Sequence, residues 1–536
     1  MAARLSFSDT GYFSKIANDY VQEKEALRPF YQYAVSRSGI EEAIENRKRF
    51  PQQRSLLVEQ LHIQYEGLTV SRPVADNIAR LGNDTTFTVT AAHQPNIFTG
   101  PLYMVYKTLH AVKLAKSLKS DFPQYDFVPV YYMGSEDADL EEIGQFTVNG
   151  KKYVWNTQQT GAVGRMQVDA ALLQLLKELK GQIDVEPFGK ELTDLFASCY
   201  TPCKTIQQAT LEIMNRLFGN HGLVVLVPDN AALKKIFEPV VRKELQTQFS
   251  HPIVEKTSKE LEAAGYKQQA SGRAVNLFYL LGDRRERIEK EEGKFTVTAL
   301  GLTFSEPEML RELENHPERF SSNVILRGAF QETVLPNIIF VGGGGELAYW
   351  LELKNVFNAV HVPYPILILR NSWMLLDERA TCFYKLLEIT PRQLFESEVD
   401  ILNLLAERKT DSRFQLSEEI KAFKQLYTAV KEKALHASST LEKHVVALMV
   451  QHQNKLKALE MKMQRQERKK LVAECEWLRY LKHLLFPNDS LQERVENISA
   501  FYGQYGKALL DDILAESPAY PSAFVLLFLG KDCGCP

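Results

Sequence analysis

At 536 residues the chain exceeds what one hydrophobic core usually organises, so two or three domains are expected. Hydrophobic residues at 45% and charged residues at 24% suit a globular protein, and a net charge of −3 provides no overall basic field for nucleic acid. The longest apolar runs, such as "HGLVVLVP" and "FVLLFLG", fall short of the roughly 20 residues that span a bilayer, and "MAARLSFSDTGYF" has no charged-then-apolar leader pattern. A cytoplasmic enzyme without nucleic-acid or membrane partners is the expectation.

Residues 1–85 read as an N-terminal helical segment, from apolar residues at three-to-four spacing in "FSKIANDYVQEKEALRPFYQYAV". At "TTFTVTAAHQ" the period changes to that of a strand. "GPLYMVYKTLHAVKLAKSLK" predicts an amphipathic helix with Leu102, Val105, Leu109 and Val112 on one stripe, and "FVPVYYMG" a second apolar strand. Strands at "GLVVLVPD", "NIIFVG" and "YPILILR" extend the pattern, and "NLFYLLGDRRERIEKEEGKFTV" reads as strands joined by a charged hairpin. Residues 86–390 therefore predict an α/β fold, a Rossmann-like doubly wound parallel sheet with insertions near 146–215 and 255–300.

From 391 to 486 the composition shifts to Lys, Glu, Gln and Leu, and glycine is absent between "TPRQLFESE" and "LKHLLFP". Leu441, Val445, Leu448, His452, Leu456, Leu459 and Met463 step by three or four, predicting a helix of more than 40 residues. "SEEIKAFKQLYTAVKEKALHA" could be its antiparallel partner, giving an α-helical coiled-coil domain that also forms a homodimer. Residues 487–536 are expected to pack back on the core. Six cysteines do not make a disulfide framework, and Cys533 and Cys535 read as free thiols of a frayed end, so no structural metal is expected.

Three stretches carry candidate chemistry. In "AAHQPNIFTGPLYMVYK" a strand end meets a helix start, where free N–H groups and a partial positive charge can face a ligand. His93, Gln94 and Asn96 would stand around that terminus, and Thr99 and Gly100 would cap it, although a plain capped turn would use the same residues. The layout is similar to the ATP-holding His signature of class I aminoacyl-tRNA synthetases, without the second His. "GSEDADLEEI" places Glu136, Asp137 and Asp139 at another strand end, suited to an ammonium group, a cation or sugar hydroxyls, or else to capping a helix. "VGGGGELAYW" strips side chains from a turn at Gly343, Gly344 and Gly345, and Gly343, Gly345 and Ala348 fit a dinucleotide fingerprint. Arg370 then stands where an NAD reader carries an acid, leaving an NADP-dependent oxidoreductase as an alternative. Glu346 suits an amine better than a pyrophosphate. Upstream, Asn323 and Arg327 add polar groups, Arg327 with a planar fork for a carboxylate or phosphate.

Taken together, "HQPNIFTGPLYMVYKTLHAVKLA", "SEDADLEEI", "NLFYLLGDRRERI", "FSSNVILRGAFQETVLPNIIFVGGGGELAYWLELKNVF" and "LQERVENISAFYGQYG" resemble, in that order, the cysteine-ligase family of bacillithiol biosynthesis. The most specific parts are "TGPLYMVYK" and "GELAYWLELK", the latter bringing Tyr349 among the substrate-binding candidates. The resemblance implies addition of cysteine to glucosaminyl-malate, a Rossmann-like core, and a coiled coil that dimerises. Ala138 replaces the His of the family's E-D-H-D pattern, so no base is carried there. "GGGG" replaces its Gly-Pro-Gly turn, and His93–Gln94 replaces a Gln pair, so Gln94 is the carried position. Joining a carboxyl to an amine requires activation, for which ATP, through an adenylate, is the expected cofactor. The amine itself would attack, with His93 accepting its proton. A non-catalytic Rossmann and coiled-coil scaffold is the remaining alternative.

Overall fold

The structure, a computed structural model, describes residues 2–270, 272–409 and 416–530. Cys533 and Cys535 lie outside these. Five apolar stretches build the central sheet: β1 (Thr86–His93), β2 (Asp126–Met133), β3 (Val224–Leu226), β4 (Asn337–Gly342) and β5 (Ile366–Leu369). Every neighbouring pair is parallel and the order is β5-β4-β1-β2-β3. This is the doubly wound order, in which the chain runs outward from β1 and then restarts on its other side. The reversal falls between β1 and β4, so a crevice opens at their carboxyl ends, beside His93 and Gly342.

Strands β2 to β5 read as nearly continuous apolar runs because both faces of the sheet are covered, while β1 alternates with Thr86, Thr88 and Thr90, all buried. Phe87, Val89 and Ala91 of β1 share a buried cluster with Ile339, Val341, Ile366 and Ile368, and with Ile40, Ala43 and Ile44 from the N-terminal helix Arg37–Lys48. Helix α1 (Leu102–Asp121) returns the chain from β1 to β2 and is buried around most of its circumference, Lys107 and His110 included. The expected stripe is thus too narrow a description. Helix Ala508–Glu516 packs on α1, and Lys113 Nζ donates to the carbonyls of Leu514 and Ala515.

Two insertions interrupt the sheet. Between β2 and β3 lie a hairpin, Gln145–Val148 and Lys151–Val154, and the helices Ala170–Ile183, Gly189–Cys199 and Ile206–Phe218. Between β3 and β4 lie helices Ala231–Thr247 and Ser250–Ala263, the antiparallel strands Leu277–Leu281 and Arg284–Arg287, and then α2 (Val324–Val334). After β4, α3 (Gly344–Trp350) leads toward β5.

The chain divides into two compact units, one of residues 1–374 with 490–527 and one of residues 375–489 with 528–536. The first boundary precedes residue 390, because helix Glu378–Leu387 packs on helix Val472–Leu485 of the second unit. The centre of that unit is a helical hairpin, α4 (Ser417–Ala437) and α5 (Ser439–Arg468), turning at Ser438. Tyr427 Oη and His452 Nδ1 lie 2.9 Å apart across it, Lys431 meets Glu442 at 2.9 Å, and the Leu416 N–H donates to Glu460. The long helix has 30 residues instead of more than 40. It stops where Leu471 is buried and turns the chain into the next helix.

Candidate active site

A cavity of about 610 Å³ lies at the carboxyl edge of the sheet. His93 ends β1, the turn Gly134–Asp137 follows β2, and Glu346 and Tyr349 come from α3. The long insertion before β4 closes the cavity with Arg273, Phe278, Arg285, Arg287, Asn323 and Arg327.

One wall is acidic. Gln94 Nε2 donates to Asp137 Oδ2 at 3.1 Å and to Glu142 Oε2 at 3.3 Å, tying the strand end to the acidic turn. Glu136 accepts from Ser321 Oγ at 2.9 Å and pairs with the buried Lys234. Asp139 does not line the cavity; its carboxylate caps the short helix Leu140–Ile143 through the Glu142 N–H. Glu346 Oε2 accepts from the Gly343 N–H at 2.9 Å and from Lys107 Nζ at 2.5 Å. Burial works to raise the Glu346 carboxyl, but Lys107 and the Gly343 N–H outweigh it and hold it below the ordinary carboxylate value.

Cationic groups line the same cavity beside these acids, with Ser321 Oγ shared between Glu136 and Arg285. Arg285 Nε donates to Ser321 Oγ at 2.9 Å and its Nη2 to the Ser322 carbonyl at 3.1 Å, and its guanidinium lies 3.8 Å from the Phe278 ring centre. Arg287, paired across the hairpin with Phe278, lies 5.1 Å from the same ring. Arg327 Nη2 donates to Tyr349 Oη at 2.7 Å. Asn323 caps α2 through the Ile325 N–H while its amide donates to Asn276. His93 also lines the cavity, edge-on to Tyr103, with Nε2 buried and unbonded among the described residues. Burial, reinforced by Lys107, pushes its imidazole down to about 3, so it is neutral at pH 7.

The structure thus gathers His93, Gln94, Glu136, Asp137, Asn323, Arg327, Glu346 and Tyr349 around one cavity. Asn96, Thr99 and Gly100 are buried away from it. Asn497 Nδ2 donates to the carbonyls of Phe98 and Gly100, and the Leu102 N–H donates to Glu496 O, so a distant segment takes up the start of α1. Position 100 requires glycine, because its φ is +60° and a Cβ there would meet Asn96 Cβ at 2.6 Å. Gly343, Gly344 and Gly345 do not line the cavity either: the Gly343 N–H is taken by Glu346, and Gly344 packs near Ala17. Arg370 sits beside the glycine turn, its N–H on the Gly342 carbonyl, but its guanidinium is taken by a buried bidentate pair with Glu493 at 2.8 and 2.9 Å.

Several lining residues were not read from the sequence. Arg285 and Arg287, two apart on one strand, share a face, and that alternation in "GDRRERI" was the available signal. Arg273 and Tyr103 carried none. Among the described residues no His, Cys, Asp or Glu group could hold a metal ion, and no helix is long and apolar enough to cross a membrane.

Fold and cavity together define a Rossmann-like α/β protein with a coiled-coil unit and a two-signed cavity at its sheet edge. Residues 1–371 match the family model for the N-terminal Rossmann-like domain of bacillithiol biosynthesis BshC, and residues 373–529 match that for its C-terminal coiled-coil domain. The chain belongs to the BshC family of bacillithiol biosynthesis and is a ligase-type enzyme. A Flavobacterium johnsoniae protein named "Putative cysteine ligase BshC" is 36% identical over 512 residues, covering 95% of this chain and 96% of that one. The Christiangramia forsetii protein of the same name is 36% identical over 541 residues, covering 98% and 99%. The Chlorobaculum tepidum protein of that name is 30% identical over 488 residues, covering 86% of each chain.

Proposed function

We propose that the enzyme joins the carboxyl of cysteine to the amine of glucosaminyl-malate, forming bacillithiol. The observation that carries this reading is one cavity lined by both acidic and cationic side chains, since both substrates bear an amine and at least one carboxylate. Glu346, with Asp137 and Glu136, faces the ammonium groups and sugar hydroxyls, and Arg327 meets a malate carboxylate. The attacking amine must lose a proton. His93 is the acceptor in this reading, because it is neutral and its Nε2 has no other partner. An anionic substrate at Arg327 would offset part of the positive field that adds to burial in depressing its basicity.

Amide formation in water is uphill, so the carboxyl needs activation, and ATP is the proposed co-substrate: the cysteine carboxylate displaces pyrophosphate to give an adenylate, and the amine then displaces AMP. The glycine turn does not suit its phosphates, since Gly343 N–H is already bonded and Glu346 stands beside it. Arg273, Arg285 and Arg287 supply a wall of cations suited to a polyanion instead. The enzyme acts in this reading as a cytoplasmic homodimer joined through the hairpin, whose Leu426, Leu435, Val450, Leu459 and Met461 are exposed. Incubating the purified protein with glucosaminyl-malate, cysteine and ATP, with mass detection of bacillithiol, tests the reaction. Product absent under all conditions would overturn it, and equal product without ATP would remove ATP alone.

A further inference from the structure

Lys107 is 1% exposed and does not line the cavity, yet its charged end is fully committed. Nζ donates to the Ala92 carbonyl at the end of β1 and to Glu346 Oε2, each at 2.5 Å, and lies 5.7 Å from the centre of the Phe340 ring. It comes from "TGPLYMVYK" and its partner from "GELAYWLELK", 239 residues apart. Burying a lysine is costly unless its charge is paired and hydrogen-bonded, so a surface-seeking side chain has been given one internal task. With Lys107 and the Gly343 N–H both on Oε2, that oxygen has its hydrogen bonds, while Glu346 keeps a side-chain exposure of 26% toward the cavity it lines. Among the described residues none donates a hydrogen bond to its Oε1, which is not buried.

We infer that Lys107 is a positioning residue: it grips Glu346 Oε2 from behind the cavity wall so that Oε1 is held toward the cavity as the acceptor for the ammonium group of the attacking substrate. The attacking amine, and not that of cysteine, is assigned because Glu346 shares its corner with His93, which follows Ala92 on β1, the residue whose carbonyl Lys107 also holds. A lone carboxylate on a seven-residue helix would choose among rotamers. Clamped from two directions, it presents one oxygen in one direction, and less orientation has to be fixed when the substrate binds.

This rests on the ligase reading, and steady-state kinetics with each substrate varied in turn separates the two. Lys107→Met is expected to raise the KM for glucosaminyl-malate about tenfold and to leave that for cysteine within twofold. Lys107→Arg should recover most of the loss. Glu346→Gln should give the same pattern, and the double variant should be no worse than Glu346→Gln alone, because Lys107 acts only through Glu346. Calorimetric binding of glucosaminyl-malate gives a readout that does not need turnover, so a poorly active variant still reports. Equal rises in both KM values, or a full additive loss in the double variant, would reduce Lys107 to a structural brace. A rise confined to cysteine would overturn the assignment of the amine. A wild-type enzyme that binds glucosaminyl-malate but forms no amide would overturn the ligase reading and leave the Lys107 inference to be decided by binding alone.

Discussion

Gln94 and Asp137, 43 residues apart in sequence, are joined by a 3.1 Å hydrogen bond across the carboxyl ends of β1 and β2. The same amide reaches Glu142 at 3.3 Å, so one neutral donor holds two carboxylates that would otherwise repel one another.

Gln94→Ala should therefore loosen the acidic turn more than it loosens the fold. A partly exposed hydrogen bond is worth about 0.5–1.5 kcal/mol, so urea unfolding should show a loss of about that size. Ligase kcat/KM is expected to fall by roughly tenfold or more, through a misplaced carboxylate. An unchanged kcat/KM would remove Gln94 and the acidic turn from substrate binding.

Arg370 separates the ligase reading from a nucleotide-reading oxidoreductase. Its pair with Glu493 is buried on both sides, so Arg370→Met strands a carboxylate and should cost about 3–5 kcal/mol. Arg370→Met with Glu493→Leu should recover much of that. NADPH binding, measured by fluorescence, is expected to be absent in the wild type. Tight NADPH binding lost with Arg370 would favour the oxidoreductase.

His110 should make stability depend on pH. It is 0% exposed, Nε2 lies 2.8 Å from the Ala519 carbonyl, and Nδ1 accepts from the Asn371 N–H. Burial pushes its imidazole down to about 4. The unfolded chain, with an imidazole near 6.5, binds more protons between those values, so stability falls as pH drops from about 6.5 toward 4. One such group contributes a slope approaching about 1.4 kcal/mol per pH unit. His110→Gln should flatten the dependence of the urea midpoint on pH between 6.5 and 5, and an unaltered slope would count against the assignment.

Arg287→Gln tests the cationic wall. Charge-assisted contacts to a phosphate should make the KM for ATP rise about tenfold, with the cysteine KM little changed. Because the Arg287 side chain makes no hydrogen bond to another of the described residues, thermal unfolding should shift little. A rise confined to the KM of glucosaminyl-malate would reassign the wall to the malate carboxylates.

Asn497→Ala is expected to act on stability first. Its Nδ2 holds the Phe98 carbonyl, and its Oδ1 accepts from Ser499 N and Oγ, all within a buried setting. Several unsatisfied buried groups at about 1–3 kcal/mol each would follow. Loss of melting temperature together with activity is the expected result. Loss of activity at an unchanged melting temperature would return the Asn96–Gly100 turn to the site.

Much of this organisation was legible in the sequence. Apolar runs long enough for buried strands, a change of period at "TTFTVTAAHQ", and the glycine-free stretch after residue 390 report on local geometry, and local geometry sets strand, helix and coiled coil. Chain order then placed His93, Gln94, Glu136, Asp137 and Glu346 at strand ends, because a parallel sheet brings its carboxyl ends to one edge. Which donors stay free was decided only in three dimensions. The start of α1 and the N–H of Gly343 both looked open as sequence, and both are occupied, one by Glu496 and Asn497 from the far end of the chain and one by Glu346. Lys107 looked like one more helical lysine until Ala92 and Glu346 closed around it. A buried polar group must find a partner, and that partner is chosen by tertiary packing, which no local pattern of residues records.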